Sequence, residues 1–223
     1  MNKSIKNVPI NDLEKFTRSV RCLHSHKVPK TDFSYEAQTP IVMEDVVKDT
    51  IKFIDAGSMP ILGVTFGSDR PIPKPGAFLS RHDAASTPTF YHSAPSGRFI
   101  VCCLDLDAPI PSFPFLSPIA HCIQSDLVPS SQPITADDGT KYELKVEGDV
   151  KPINAYAGPG PPPISAPHRY VFLLYEQPAD FEKSNLGYPE KWGIKDRMKW
   201  NQSEFEKKAG LGKVVAGNYF VSK

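Results

Sequence analysis

A mainly β fold, a sandwich or barrel with a few peripheral helices, is what this sequence predicts, and three observations carry the prediction. The apolar runs at 98–106 and 168–175 are short and almost uninterrupted, the pattern of strands buried on both faces. Residues 141–147 alternate between apolar and polar, as a half-exposed strand does. The 23 prolines are about twice average usage and are scattered through connections, so the chain reads as loop-rich rather than disordered.

Taken in order, the elements follow from local signals. Asn11 can cap a short helix over 11–23, with Glu14 at the capping-box position and Leu13, Phe16 and Val20 on one face. A polar loop over 24–35 follows, so 1–35 reads as an N-terminal extension to a single domain over 36–223. A second helix is predicted over 43–56, where Val46, Val47, Ile51 and Ile54 recur at helical spacing and Gly57 supplies a stop. The period then changes. Residues 61–66 form the first strand, and 67–97, rich in Pro, Ser, Gly and His, reads as long loops with one short strand at 89–92. Strands at 98–106 and 119–123 come next, and 124–140 reads as a connection carrying an Asp137-Asp138-Gly139 turn. After the strand at 141–147, a stiff Gly158-Pro159-Gly160-Pro161-Pro162-Pro163 segment leads into the strand at 168–175. Ser203 and Glu206 form a capping box for a helix ending at Ala209, with Gly210 closing it, and 214–221 is a terminal strand. Trp192 and Trp200 flank a basic segment that packs a peripheral helix on the sheet.

Composition narrows the function classes. The 223 residues suit one domain with a sizeable core. A net charge of +1 leaves no basic footprint, so nucleic acid is not an expected partner. Met1-Asn2-Lys3-Ser4-Ile5-Lys6 leads into no apolar signal region, and no run approaches a membrane span. Cys22, Cys102, Cys103 and Cys122 lack metal-ligand spacing, and Cys102 and Cys103 read as small core residues. A reduced, cytoplasmic protein without metal or cofactor is expected. His24 and His26 share a polar loop with no third ligand nearby, and His82 and His92 stand isolated in loops.

Polar residues at the ends of apolar runs are the functional signal. Side chains on a strand alternate faces, so Asp105 and Asp107 share one face, His168 and Tyr170 another, and His121 faces away from Cys122. Three strand ends can converge on a pocket containing Asp105, Asp107, His121, His168 and Tyr170. Plainer readings stand beside this one. An Asp-x-Asp before Pro caps a turn, a lone His on an apolar strand is a satisfied core residue, and a proline run is a stiff connection. No nucleophile, base and orienting group stand out together.

Asp105-Leu106-Asp107-Ala108-Pro109, then His121, then Tyr156-Ala157-Gly158-Pro159-Gly160-Pro161-Pro162 with His168-Arg169-Tyr170-Val171-Phe172-Leu173-Leu174-Tyr175, resemble the signature segments of the phosphatidylethanolamine-binding protein family. Val215-Ala216-Gly217-Asn218-Tyr219-Phe220 is similar to that family's terminal strand, and the resemblance covers roughly 60–223. The helix at 43–56 and the overall length also resemble the family's fungal carboxypeptidase-inhibitor branch. The resemblance implies a two-sheet β-sandwich with a pocket for an anionic head group. Asp105, Ala108, Pro109, His121, Gly158, Gly160, Pro161 and Tyr170 would line it, with His168 and Tyr156 at its edge. Asp105 would orient His121 and raise its pKa. The chain departs from the family at Leu106, where a proline is usual, at Cys122, and at Ile164-Ser165, where a basic rim residue is lost.

Two functions follow from that resemblance. One is a binding protein that holds a small phosphate- or carboxylate-bearing anion and regulates or inhibits a protease or kinase. The alternative is an enzyme or accessory protein of fungal secondary-metabolite biosynthesis, such as anhydride coupling or cyclisation. In that case Asp105 and His121 would move a proton and Tyr170 would stabilise a developing enolate oxygen. The 1–35 segment is a further candidate for docking on a partner protein.

Overall fold

In the computed structural model, the described residues are 45–136 and 139–223. The helix expected over 11–23 and Asp137-Asp138 of the expected turn lie outside them. The first described helix, α1 (Asp45–Asp55), matches the helical spacing in the sequence: Val47 and Ile54 are buried, and Val46 and Ile51 pack against the cluster that contains Val47. Gly57 follows at φ 65°, a left-handed conformation that costs glycine nothing and ends the helix.

The strands are β1 (Gly63–Phe66), β2 (Arg70–Pro71), β3 (Ala77–Phe78), β4 (Pro88–His92), β5 (Phe99–Asp105), β6 (Ile119–Ala136), β7 (Gly139–Val146), β8 (His168–Glu176) and β9 (Ala216–Ser222). All nine strands of the described residues join one hydrogen-bonded sheet in the order β2-β1-β4-β7-β6-β5-β8-β9-β3, where the family resemblance implies two sheets. The reason is β6. It runs for 18 residues, pairing with β5 through its first part and with β7 through its second, so one strand carries the ladder across both halves. The strand expected over 119–123 therefore runs on to Ala136 and includes Pro129 and Pro133. The ladder's register shifts between Pro129 and Pro133, the kind of irregularity at which strands tolerate proline.

The sheet curls into a half-barrel. Phe66 of β1 lies 5.4 Å from Phe220 of β9, and Phe90 of β4 lies 5.8 Å from Phe172 of β8, although these strands are far apart in the ladder. Each buried aromatic contributes roughly 1.5–3 kcal/mol of burial, and the ring pairs add roughly 0.5–1.5 kcal/mol. Phe99, Val101 and Cys103 of β5 enter this inner core, while Ile100, Cys102 and Leu104 enter a second cluster on the outer face. Both faces of β5 are therefore covered, which is why its sequence is unbroken apolar. Helices cover the outer face: a 3-10 turn (Lys183–Leu186), α2 (Ile194–Arg197) and α3 (Gln202–Ala209). Trp192 and Trp200 stack here with Tyr188 and Phe205, as the sequence leads one to expect. The cap of α3 is Asn201, whose side chain accepts from the Glu204 N–H at 2.7 Å, rather than Ser203.

Candidate functional site

Three strand ends do meet. Asp105, the last residue of β5, sits directly opposite Tyr170 on β8 and opposite Ile119 on β6. His121 arrives by a register slip: Cys103 faces Cys122 and Leu104 faces Ala120, leaving His121 as the extra residue. Such a bulge re-aims a side chain. Here it brings the His121 ring edge-on to Tyr170, with centroids 5.1 Å apart and an interplanar angle of 87°.

His121 Nδ1 donates to the Ala157 carbonyl at 2.7 Å, since a carbonyl can only accept. In the neutral ring Nε2 is then a bare acceptor, and it stands 4.0 Å from Asp105 Oδ2. Burial pushes the His121 pKa below its ordinary value, outweighing the opposite pulls of Asp105 and the Ala157 bond, and the nearby Arg197 charge lowers it further. This reverses the expected upward shift: desolvation of the cation exceeds one carboxylate at that distance. Tyr170 is 1% exposed, and its hydroxyl has no hydrogen-bond partner among the described residues. Burial and Asp105 raise its pKa well above the usual value, with the Gly160 backbone acting the other way, so it remains a protonated donor.

The histidine that Asp105 holds is His168, which lies at the centre of the cluster rather than its edge. Its Nδ1 is 2.9 Å from Asp105 Oδ2, and its Nε2 is 2.9 Å from Ser165 Oγ. Asp105 Oδ1 accepts the Asp107 N–H at 2.8 Å. Asp107 turns to Arg169: its Oδ2 accepts from the Arg169 backbone N–H at 2.8 Å and from Nε at 2.9 Å, and its Oδ1 accepts from Nη2 at 2.7 Å. Its carboxylate is committed to a bidentate pair with Arg169, and the carboxylate that caps the local turn is that of Asp105, through the Asp107 N–H. Leu106 is buried in the outer core and donates its N–H to the Arg169 carbonyl at 3.1 Å, a bond the family's usual proline cannot make.

The remaining wall is backbone. Ala108 donates its N–H to Ser117 Oγ at 2.7 Å and accepts from the Leu116 N–H, which closes the loop carrying Pro109. Gly158 faces the Ala84–Ala85 backbone so closely that a Cβ would lie 3.2 Å from Ala85 Cα. Tyr156 donates to the Ala84 carbonyl at 2.8 Å, so its hydroxyl is committed to that loop. Pro161 is buried beside Gly160. Behind His121, the guanidinium of Arg197 is 7% exposed and donates Nη1 to the carbonyls of Ala120, His121 and Ala155. Nothing in the sequence around Arg197 signals this, because all three acceptors are backbone groups from other segments.

No group of His, Cys, Asp or Glu among the described residues is arranged to hold a metal ion. Cavities of about 190 Å³ beside Tyr188 and Trp200, and about 420 Å³ beside Arg98 and Gln177, lie apart from Asp105, His121 and Tyr170. No helix of the described residues is long and apolar enough to cross a membrane.

Known proteins are similar to this chain over most of its length. The family model for phosphatidylethanolamine-binding protein matches residues 55–220. Carboxypeptidase Y inhibitor of Saccharomyces cerevisiae is 30% identical over 210 residues, 82% of this chain and 90% of that protein. Phomoidride biosynthesis cluster protein N of Talaromyces stipitatus is 36% identical over 140 residues, 60% of this chain, and the match spans 62% of that relative's length. The crystal structure of carboxypeptidase Y inhibitor complexed with its cognate proteinase superposes with a TM-score of 0.60 at 25% identity, covering 80% of this chain and 97% of that one. A phosphatidylethanolamine-binding protein from Plasmodium vivax shares the fold, with a TM-score of 0.53 at 18% identity over 78% of this chain and 97% of that one. On the family-model match over residues 55–220 and the 30% identity to carboxypeptidase Y inhibitor, the chain belongs to the phosphatidylethanolamine-binding protein family.

Proposed function

We propose that the protein binds a small anion, a phosphate or carboxylate group, at His121 and Tyr170, and that it regulates a protein partner such as a protease, kinase or biosynthetic enzyme. The observation that carries this is the Tyr170 hydroxyl, a buried donor with no hydrogen-bond partner among the described residues. Leaving such a group unpaired costs roughly 1–3 kcal/mol, which an incoming oxygen would recover. The Ala108–Pro109 turn and the Gly158–Pro161 wall bound the site, and Asp107 ties that turn to Arg169 of β8. A partner role is supported by the carboxypeptidase Y inhibitor relative, which is solved with its proteinase. The buried free thiols of Cys102, Cys103 and Cys122 suit a reduced, cytoplasmic setting.

The charge balance makes this reading pH-dependent. With His121 neutral, an anion meets the Asp105 carboxylate and a bare Nε2, so binding favours protonation of His121. Sulfate, which does not itself titrate near neutrality, is the probe. Its affinity is expected to rise by up to about tenfold per pH unit as pH falls through the range where binding takes up a proton. Tyr170→Phe is expected to weaken sulfate binding while raising the thermal midpoint of the free protein, because it removes the unpaired hydroxyl. Calorimetry and thermal melting at pH 8 and pH 5.5 read both effects. Binding that is equal at the two pH values, or that His121→Ala leaves intact, would refute the site.

A second reading is favoured by the phomoidride cluster relative. In it, the same Asp105, His121 and Tyr170 carry acid–base chemistry in secondary-metabolite biosynthesis. Asp105→Ala and His121→Ala are then expected to lower product formation about 10²–10⁴-fold in a reconstituted pathway. Product formed at the wild-type rate by folded variants rules that role out.

A further inference from the structure

The hydrogen-bond chain from Ser165 to Asp105 has the connectivity of a nucleophile, its base and the group that orients the base. We propose that Ser165, His168 and Asp105 form a nucleophilic triad that takes an apolar acyl group from an ester or thioester onto the Ser165 hydroxyl. Asp105 Oδ2 is an acceptor, so the His168 Nδ1 at 2.9 Å carries the proton. The His168 Nε2 lone pair then accepts the Ser165 hydroxyl at 2.9 Å, the tautomer a general base requires. The array is held from behind. The Asp107 N–H fixes Asp105 Oδ1, Arg169 fixes Asp107, and the Ser165 N–H donates to the Pro162 carbonyl at 2.9 Å.

Two independent features point to a substrate. Tyr170 lies two residues beyond His168 on the same face of β8 and presents a buried hydroxyl with no hydrogen-bond partner among the described residues, a donor for an oxygen that gains charge. The loops that leave this end of the sheet expose large apolar side chains: Ile164 at 86%, Phe113 at 63% and Phe115 at 42%. Ser165 itself is 2% exposed but sits between exposed Ile164 and Ala166, one residue from solvent on either side. An apolar acyl chain suits that border better than a charged head group.

The step balances without an oxidant or metal. Ser165 Oγ bonds to the acyl carbon as His168 Nε2 takes its proton. The carbon–oxygen or carbon–sulfur bond of the donor breaks, and the leaving alcohol or thiol receives that proton. Water then attacks the acyl-serine through the same base, releasing the acid and restoring the hydroxyl. This inference does not rest on the anion reading, and the two fail separately, because sulfate binding is read by calorimetry and acylation by mass.

The test is to treat the full chain with phenylmethylsulfonyl fluoride, which bonds its sulfur to the serine oxygen and loses fluoride, and then to map the peptide. A single adduct at Ser165 is expected, together with a burst of p-nitrophenol from p-nitrophenyl butyrate, both absent in Ser165→Ala. His168→Gln, with its fold verified by circular dichroism, is expected to slow labelling about 10²–10⁴-fold. An unlabelled Ser165 in the wild-type protein overturns the proposal, as does a Ser165→Ala variant that releases p-nitrophenol at the wild-type rate. A buried serine that only satisfies His168 produces those two outcomes.

Discussion

Asp105→Asn is expected to destabilise the protein by about 2–4 kcal/mol, a large effect for an isosteric change. The carboxylate is 4% exposed and uses both oxygens, Oδ1 for the Asp107 N–H and Oδ2 for the His168 Nδ1–H. An asparagine offers one acceptor. Whichever way it turns, its NH₂ group faces one of two donors. His168 can relieve part of the conflict by moving its proton to Nε2, but Ser165 must then become the acceptor, which dismantles the Ser165–His168–Asp105 chain. Urea unfolding measures the cost. A change below about 0.5 kcal/mol would show that Asp105 does not hold both groups.

Arg197→Met is expected to cost about 3 kcal/mol, or roughly 6–12 °C in thermal midpoint for a chain of this size. Methionine replaces the stem and removes a buried charge, which taken alone is favourable. Against that, the carbonyls of Ala120, His121 and Ala155 lose their shared donor at 3.2, 3.4 and 3.0 Å. These carbonyls join β6 to the segment that carries Ala157, the group that pins His121 Nδ1. The same variant is therefore expected to weaken sulfate binding as well as stability. A variant as stable as wild type would mean that the desolvation of the guanidinium cancels everything it holds.

Much of the candidate site was legible because its residue types are improbable where they stand. A carboxylate, an imidazole and a phenol at the ends of otherwise apolar strands each have a plain reading alone, but their joint occurrence points to a site, and Asp105, His121 and Tyr170 lie near one another. Their pairing was not legible. Strand alternation says which side a residue faces, yet the bulge that turns His121 toward Tyr170 is a slip between two strands and leaves no mark in either one. Asp105 has two histidines within reach, and the family resemblance points only to His121. The choice depends on angles at a strand end, where His168 lies 2.9 Å away and His121 4.0 Å. Ser165 was noticed only as part of a lost basic rim, since a serine in a proline-rich loop carries no signal until its neighbour in space is known.

The same division holds for the whole chain. The sequence by itself determined the strands whose burial is legible in one dimension, such as β5 and β8, and the amphipathic helix α1 over Asp45–Asp55. It also determined the chemical inventory of the site and membership of the family. Only the tertiary structure decided that β6 runs on through Pro129 and Pro133 and joins every strand into one curled sheet. It alone set the His121 pKa direction, the Asp105–His168–Ser165 alignment and the Arg197 clasp. The physical reason is common to all of these. Periodicity and propensity are local along the chain, whereas register, desolvation and hydrogen-bond partnership are set by groups that meet only after the sheet has closed.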